Sequence, residues 1–184
     1  MSEEIKYKGY TIKIEVETDT QNPRTEWDNV GTMVCFHRRY NLGDGKKDFS
    51  GPEELDEFLK KNKKDLVVLP LYLYDHSGLT MKTTPFSCRW DSGQVGYIFV
   101  NREDAKYNWG LKRNWRKEAV KRLIAEVATY DDYLTGSVYR YTVIDDEDNE
   151  IDSCGGYYGD DHEKSGLLES ARMNIEGELH NQKV

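Results

Sequence analysis

The segment DLVVLPLYLYDH, residues 65–76, constrains the fold most, because its apolar run is too continuous for a strand with one face in water. Half-exposed strands alternate apolar and polar residues, whereas strands that are buried on both faces do not. The segment therefore predicts a strand that is covered on both sides. Pro70 lies inside it and lacks a backbone N–H, which places this residue at a sheet edge or at a bulge.

Other stretches have the periodicity of strands and helices. IKYKGYTIKIEV alternates as a half-buried strand does, and GTMVCFHRRY predicts the next strand. SGPEELDEFLKKN predicts a helix that begins with Ser50 and Glu53 as a capping box. Apolar residues at three- and four-residue spacing predict further helices over roughly 114–130 and 163–180. No repeat or low-complexity linker interrupts residues 1–184, so we expect a single α+β domain, with an antiparallel or mixed sheet covered by about three helices.

The chain is electrostatically asymmetric, with a net charge of -8. Residues 1–130 carry 22 Lys and Arg against 20 Asp and Glu, whereas residues 131–184 carry 4 against 14. This asymmetry is typical of proteins with charged partners, although solvated helix faces produce the same counts.

Two further features narrow the class of protein. No apolar run reaches the roughly 18 residues of a membrane helix, and MSEEIKYKGY lacks the layout of a signal peptide, so we expect a cytoplasmic protein. Cys35, Cys88 and Cys154 form no CxxC pair, and we expect them to be free buried thiols.

The segment around Cys88 contains the ingredients of a cysteine-dependent active site. His76 lies twelve residues upstream as a candidate base, with Asp75 or Asp91 as residues that could orient it. The alternative is structural: HSG and DSG are turns, and a set of aromatic residues packs beneath them, namely Phe86, Trp90 and Tyr97. Because no cysteine-protease signature surrounds Cys88, we favour the structural interpretation and expect no catalytic residues.

Metal and phosphate sites find little support. Cys154 and His162 lack the tight pairing of zinc ligands, and DDEDNEID lacks the glycine and the closing glutamate of a calcium loop. NLGDGKKD lacks the GxxxxGK[ST] pattern of a phosphate-binding loop. We therefore expect no metal and no cofactor.

Residues 102–122 combine basic and aromatic side chains, as phosphate binding and base stacking require. Trp115 falls on the apolar face of the following helix and is assigned to the core. The candidate nucleic-acid contacts are Trp109, Lys112, Arg113, Arg116 and Lys117.

TGSVYRYTVIDDEDNEIDSCGGYYG predicts a strand, a very acidic turn and a short returning strand. Clustered carboxylates on a folded scaffold can occupy a basic groove that normally holds nucleic-acid phosphates. The simpler alternative is a solvated acidic surface. The candidate partner-binding residues of this hairpin are Asp145, Asp146, Glu147, Asp148, Glu150 and Asp152.

The stretches LPLYLYDHSGLTM, TPFSCRWDSGQVGYIFV, YDDYLTGSVYRYTV and DSCGGYYG resemble small proteins encoded by bacteriophages and mobile elements of bacteria. The likeness covers roughly residues 30–160. Over most of its length the chain also resembles anti-CRISPR proteins that inhibit type II Cas9 effectors. The resemblance implies a non-enzymatic inhibitor that binds a Cas9-type nuclease, or its guide-loaded complex, in the cytoplasm of a bacterial host.

Two alternatives belong to other classes of function. One is a phage accessory protein that binds DNA or RNA through residues 102–122. The other is a small cysteine-dependent enzyme built on Cys88 and His76.

Overall fold

The computed structural model of the protein describes residues 2–45, 48–88, 90–110 and 113–181. The chain divides into two compact units and passes between them twice, after Gln21 and after Thr135. We call residues 1–21 with 136–184 the acidic unit, and residues 22–135 the central unit.

The secondary-structure elements in chain order are β1 (Glu3–Tyr7), β2 (Tyr10–Val16), β3 (Thr32–Cys35), α1 (Pro52–Asn62), β4 (Leu66–Asp75), β5 (Leu79–Lys82), β6 (Ser92–Asn101), α2 (Arg102–Trp109), α3 (Trp115–Thr135), β7 (Val138–Ile144), β8 (Glu150–Tyr158) and α4 (Leu167–Asn181). The described residues thus form four helices and two four-stranded antiparallel sheets, which confirms the α+β class. That residues 1–184 act as one domain stays a prediction. In the described ranges, no helix has both the length and the apolar character that crossing a bilayer requires.

The sheet of the central unit has the strand order β3-β6-β4-β5. Strand β4 is buried from both sides: Leu71 and Leu73 belong to the cluster that includes Leu123 of α3, whereas Leu66 packs with Leu55 of α1. The predicted double coverage is therefore confirmed. Strand β4 lies between β6 and β5, but β5 pairs only with Tyr72–Asp75, so among the described residues Pro70 has a neighbouring strand on the β6 side alone and its predicted edge position is confirmed. The sheet has an irregularity close by, a register shift between Leu71 and Tyr72, but Pro70 itself pairs in register with Tyr97.

The sheet of the acidic unit has the order β1-β2-β7-β8, and α4 covers it. Ile12 and Ile14 of β2 pack with Val143 of β7 and with residues of α4. The single strand predicted for IKYKGYTIKIEV is instead a hairpin. Its turn has φ values of 50° at Lys8 and 91° at Gly9, and two consecutive positive φ values are the geometry of a tight hairpin turn.

Several predicted details need correction. Strand β3 ends at Cys35, well before the end of GTMVCFHRRY, because the following residues leave the sheet. Ser50 donates to Glu54 and not to Glu53, and Gly51 is the N-cap residue of α1. The three cysteines are free as predicted, but only Cys35 is buried. Cys88 is half-buried and Cys154 is exposed.

Arg24 is the only charged side chain in the buried core of the described residues. Its Nε donates to Asp44 Oδ1 at 2.8 Å, and its terminal nitrogens donate to Asn29 Oδ1 at 2.9 Å, Glu126 Oε2 at 2.8 Å and the Gly31 carbonyl at 2.5 Å. The guanidinium therefore joins the segment before β3, the loop after β3 and helix α3. A buried cation with this many partners holds these three segments of the central unit together.

Replacing Arg24 with alanine should lower the free energy of unfolding by about 3–5 kcal/mol, because Asp44 and Glu126 would lose the buried cation that neutralises them. Urea denaturation followed by circular dichroism measures the change. Arg38→Ala removes an exposed arginine of the same unit and should change this free energy by less than about 0.5 kcal/mol. Equal stabilities of the Arg24→Ala variant and the wild type would show that the network is dispensable.

Candidate functional site

The turn between β7 and β8 carries the predicted acidic cluster, and we call residues 145–152 the acidic hairpin. Asp145 shapes the turn, since its Oδ1 accepts from the backbone N–H groups of Glu147 at 2.9 Å and Asn149 at 2.8 Å. Its Oδ2 accepts from the Asn149 side chain at 3.0 Å. Asp148 has a φ of 63°, a conformation in which Asp is among the better tolerated residues. Asp145 thus fixes the shape of the hairpin tip.

Hydrogen bonds keep the Asp145 carboxylate charged. The Asn149 side chain, followed by backbone N–H donors of the turn, lowers the pKa of Asp145 below its ordinary value of 3.8. Donors aimed at a carboxylate stabilise its ionised form. Asp145 therefore stays negatively charged while its hydrogen bonds fix the conformation of the turn.

Asp152 anchors the other end of the hairpin. Its Oδ2 accepts from the Tyr141 hydroxyl at 2.7 Å and from the Asn174 side chain at 2.5 Å, which ties β8 to β7 and to α4. Burial, and to a lesser degree the contact with Asp152, raises the pKa of Tyr141 to about 12, so its hydroxyl remains a donor. Two of the six predicted carboxylates, Asp145 and Asp152, are therefore structural.

The other four carboxylates of the hairpin are exposed: Asp146, Glu147, Asp148 and Glu150. Glu150 accepts from Ser153 at 2.7 Å. Within the described ranges, none of the four takes part in an ion pair. They form a cluster of free negative charge on a shaped turn.

Acids outside the hairpin are partly neutralised. Asp161 pairs with Lys164, and Glu163 pairs with Arg172 through two hydrogen bonds of 3.1 and 2.8 Å. Hydrogen bonds from Tyr139 and Ser137 lower the pKa of Asp160. The charges of these three acids are thus less available than those of the four exposed carboxylates of the hairpin.

The charge asymmetry follows the two units more closely than it follows the order of the chain. The acidic unit carries 7 Lys and Arg against 17 Asp and Glu, whereas the central unit carries 19 against 17. Residues 1–21 belong to the acidic unit and add five acids, namely Glu3, Glu4, Glu15, Glu17 and Asp19. Sequence reasoning assigned them to the balanced part, because only the fold brings this segment to β7.

The basic-aromatic segment divides into structural and exposed residues. Arg116 donates to the Leu66 carbonyl at 2.7 Å and to the Lys64 carbonyl, and its guanidinium lies 4.7 Å from the Trp115 ring centre. Trp109 is half-buried against the core, which also includes Trp115 as predicted. Arg116 and Trp109 are therefore engaged in contacts that stabilise the fold.

Two of the predicted nucleic-acid contacts remain fully available. Arg113 and Lys117 are exposed, and Tyr107 of α2 is 90% exposed. Lys112 lies outside the described residues. The segment therefore offers fewer free cations than its composition indicates.

His76 and Cys88 both contact the carboxylate of Asp91. Asp91 Oδ2 is 3.4 Å from His76 Nδ1 and accepts from Cys88 Sγ at 3.7 Å. The thiol thus has a carboxylate as its recorded partner, whereas a nucleophilic cysteine needs a base and a positive environment. The hydrogen bond from Cys88 to a carboxylate therefore favours the structural interpretation, in which HSG and DSG are turns.

Trp90 overturns part of the predicted packing beneath these turns. Its side chain is 96% exposed, although Phe86 stacks on Tyr74 with ring centres 5.4 Å apart and Tyr97 packs against a core cluster. A fully exposed tryptophan is uncommon and is typical of contact surfaces. No periodicity around residue 90 distinguishes a buried indole from an exposed one.

Among the described residues, no group of three or more His, Cys, Asp and Glu side chains is arranged to hold a metal ion. His162 instead lies 3.6 Å from Glu3 and packs edge-on against Tyr139. Neither a protein-family model, nor a curated protein, nor a solved structure matches this chain.

Asp145→Asn should lower the thermal unfolding temperature above pH 3.8, and the difference from the wild type should shrink as the pH falls below that value. The lowered pKa in the folded state means that the ionised carboxylate contributes stability above its unfolded pKa, which is lost as pH falls through the folded pKa. Melting curves across this range measure the effect. Asp146→Asn is the matched control, since it removes a charge from the same turn but leaves the turn's hydrogen bonds intact. A difference between Asp145→Asn and the wild type that is the same at every pH would contradict the assigned role.

Proposed function

We propose that this protein is an anti-defence binding protein that inhibits a Cas9-type nuclease by non-covalent association, with the acidic unit as its contact surface. The observation that carries the proposal is the acidic hairpin, whose four exposed carboxylates form no ion pair with any described residue, in a unit with a net charge of -10. The resemblance of the chain to anti-CRISPR proteins points to the same class of target. The place of action is the cytoplasm of the bacterial host.

The physical argument rests on competition for a basic channel. A Cas9-type nuclease holds its guide–target heteroduplex in a positively charged channel that recognises the backbone and not the base sequence. Carboxylates held in a fixed array can occupy such a channel, because the attraction depends on the placement of charge. Asp145 and Asp152 fix this placement before binding, so less ordering entropy is lost on association.

The arrangement at Cys88 supports a mode of action without covalent chemistry. The hydrogen-bond partner of the Cys88 thiol is the Asp91 carboxylate and not the His76 imidazole, and inhibition by occupancy requires no nucleophile. Direct nucleic-acid binding is the second candidate, and the exposure of Arg113 and Lys117 favours it. The two functions differ in their target, since one requires the nuclease and the other requires only DNA or RNA.

Charge reversal of the hairpin should abolish inhibition. The test variant changes Asp146, Glu147 and Glu150 to Lys and keeps Asp148, whose positive φ makes replacement costly. We expect the affinity for a guide-loaded Cas9-type nuclease to fall by about 100-fold or more, because like charges would then face each other. Calorimetry and a DNA-cleavage assay, each with and without guide RNA, measure binding and inhibition.

The matched control changes Glu4, Glu15 and Asp19 to Lys, which are exposed acids of the same unit. The net charge changes equally in both variants, so the control should lose only a few-fold in affinity if the position of the charge matters. Full inhibition by the hairpin variant would refute the proposed contact. Equal losses in both variants would show that total charge, and not the hairpin, is recognised. A gel shift of the isolated protein on DNA would favour the second candidate.

Cys88→Ser and His76→Ala should both inhibit as the wild type does, within about two-fold, because the proposed action breaks and forms no covalent bond. The cleavage assay measures this directly, and iodoacetamide treatment of the wild type provides an independent check. Loss of inhibition in both variants, with unchanged circular dichroism, would instead favour the hypothesis of a cysteine-dependent enzyme.

A further inference from the structure

Strand β6 of the central unit is longer than its neighbour β3, which leaves part of its edge unpaired. Strand β3 pairs with β6 from Cys35 opposite Gly96 to Thr32 opposite Phe99. The last backbone hydrogen bond on this side runs from Phe36 N–H to the Val95 carbonyl at 2.7 Å. Residues 92–94 therefore pair with β4 on one side and have no strand beside them on the other in the described structure.

A groove of about 650 Å³ lies along this free edge. The chain after β3 forms one wall and the start of β6 the other, with the groove lined by residues that include Phe36, Arg38, Leu73, Trp90 and Gln94. A second concavity of about 250 Å³ shares Phe36, Gln94 and Val95 with the first and extends to Pro52 and Leu55 of α1. Both concavities therefore border β6 at Gln94 and Val95.

The backbone N–H and carbonyl groups of β6 point alternately to one side of the strand and to the other, and some of them face the groove. The Asp91 carbonyl accepts from Asp75 N–H at 2.8 Å, so residue 91 faces β4. In an antiparallel sheet, successive residues direct their backbone groups to opposite neighbours. The N–H and carbonyl groups of Ser92 and Gln94 therefore point away from β4, towards the groove.

Two glycines of β6, Gly96 and Gly93, differ in the space around them. A Cβ atom at Gly96 would collide with the Val34 carbonyl of β3, so glycine is needed where the strands meet. A Cβ at Gly93 would have no heavy atom within 4 Å, and Gly93 does not adopt a positive φ. Neither packing nor backbone conformation therefore requires glycine at 93. Its small size leaves room for an incoming backbone.

The charges around the groove indicate the chemistry of the occupant. Arg39 pairs with Asp75, and His76 lies against Asp91, so both acids of the groove already have partners. Arg38 is exposed, and no ion pair is recorded for it within the described ranges. Trp90, at 96% exposure, offers a large apolar surface beside it. An acidic segment with apolar side chains complements this combination.

We propose that this groove binds an extended acidic peptide segment of a partner protein, which adds as a strand to the free edge of β6. Arg38, which forms no ion pair with a described residue, and the exposed indole of Trp90 both line the groove and favour this occupant, and addition of a strand to an exposed sheet edge is a common mode of peptide recognition. Backbone hydrogen bonds to Ser92 and Gln94 hold the segment, Trp90 covers an apolar side chain, and Arg38 pairs with a carboxylate. This surface belongs to the central unit, so the proposal does not depend on the function assigned to the acidic unit.

A phage-displayed library of random dodecapeptides, selected on the full-length protein and counter-selected on Gln94→Pro, tests the proposal. Proline removes the outward N–H of residue 94 and leaves the hydrogen bonds of residues 91 and 93 to β4 in place. We expect enriched peptides with alternating apolar residues and at least one acid. A synthetic selected peptide, measured by fluorescence polarisation, should bind Gln94→Pro about ten-fold more weakly than the wild type and should bind Gln94→Ala within about two-fold of it.

Two side-chain variants and a modified probe complete the test. Trp90→Ala and Arg38→Glu should each weaken binding of the same peptide by about ten-fold or more. Should Gln94→Pro fail to fold, N-methylation of alternate residues of the peptide blocks strand pairing without changing the protein. The proposal is refuted if no peptide is enriched, or if N-methylation and the variants leave affinity unchanged. Binding of the oligonucleotide dT12 that requires Trp90 and Arg38, in place of peptide binding, would assign the groove to single-stranded nucleic acid and would also refute it.

Discussion

The buried Arg24 guanidinium is the interaction on which the central unit depends. A buried cation is costly unless every donor has a partner, and here the partners come from Asn29, Gly31, Asp44 and Glu126. The same two carboxylates also hold the backbone at the start of β3, since Asp44 accepts from Met33 N–H at 2.8 Å and Glu126 from Gly31 N–H at 3.2 Å. Arg24 and its two carboxylate partners thus help to position the start of β3.

The carboxylates of the acidic hairpin show how one residue type performs two tasks. Asp145 and Asp152 accept several hydrogen bonds each, and they determine where the chain turns and how β8 joins its neighbours. Of the exposed acids between them, Glu150 accepts one hydrogen bond from Ser153, and within the described residues none forms an ion pair, so they mainly contribute charge. Because Asp145 and Asp152 fix the conformation of the hairpin, the exposed acids between them are held in defined positions. This preorganisation gives the proposed inhibitor its specificity.

Local patterns in the sequence predicted the helices α1, α3 and α4 and the double burial of β4, because each depends on periodicity within a short window. The partners of Arg24 lay beyond such reasoning, since Asp44 and Glu126 are 20 and 102 residues away. The acidic hairpin was predicted as a cluster, but composition does not separate Asp145, which builds the turn, from Asp146, which is free. The exposure of Trp90 could not be predicted either, since no periodicity around residue 90 indicates which way the indole faces.

The two proposed surfaces rely on different forces, and this difference has a physical consequence. Attraction between the acidic hairpin and a basic channel acts over distances comparable to the Debye length, about 8 Å at physiological salt, and therefore weakens steeply as salt is added. Strand addition to β6 depends mainly on backbone hydrogen bonds and on apolar contact with Trp90, which salt screens only slightly. Ionic strength therefore separates the contributions of the two units within the intact protein, without any substitution. Under the two proposals, contact through the acidic unit would mainly govern the rate of encounter with the nuclease, whereas contact through the groove would mainly govern the lifetime of the peptide complex.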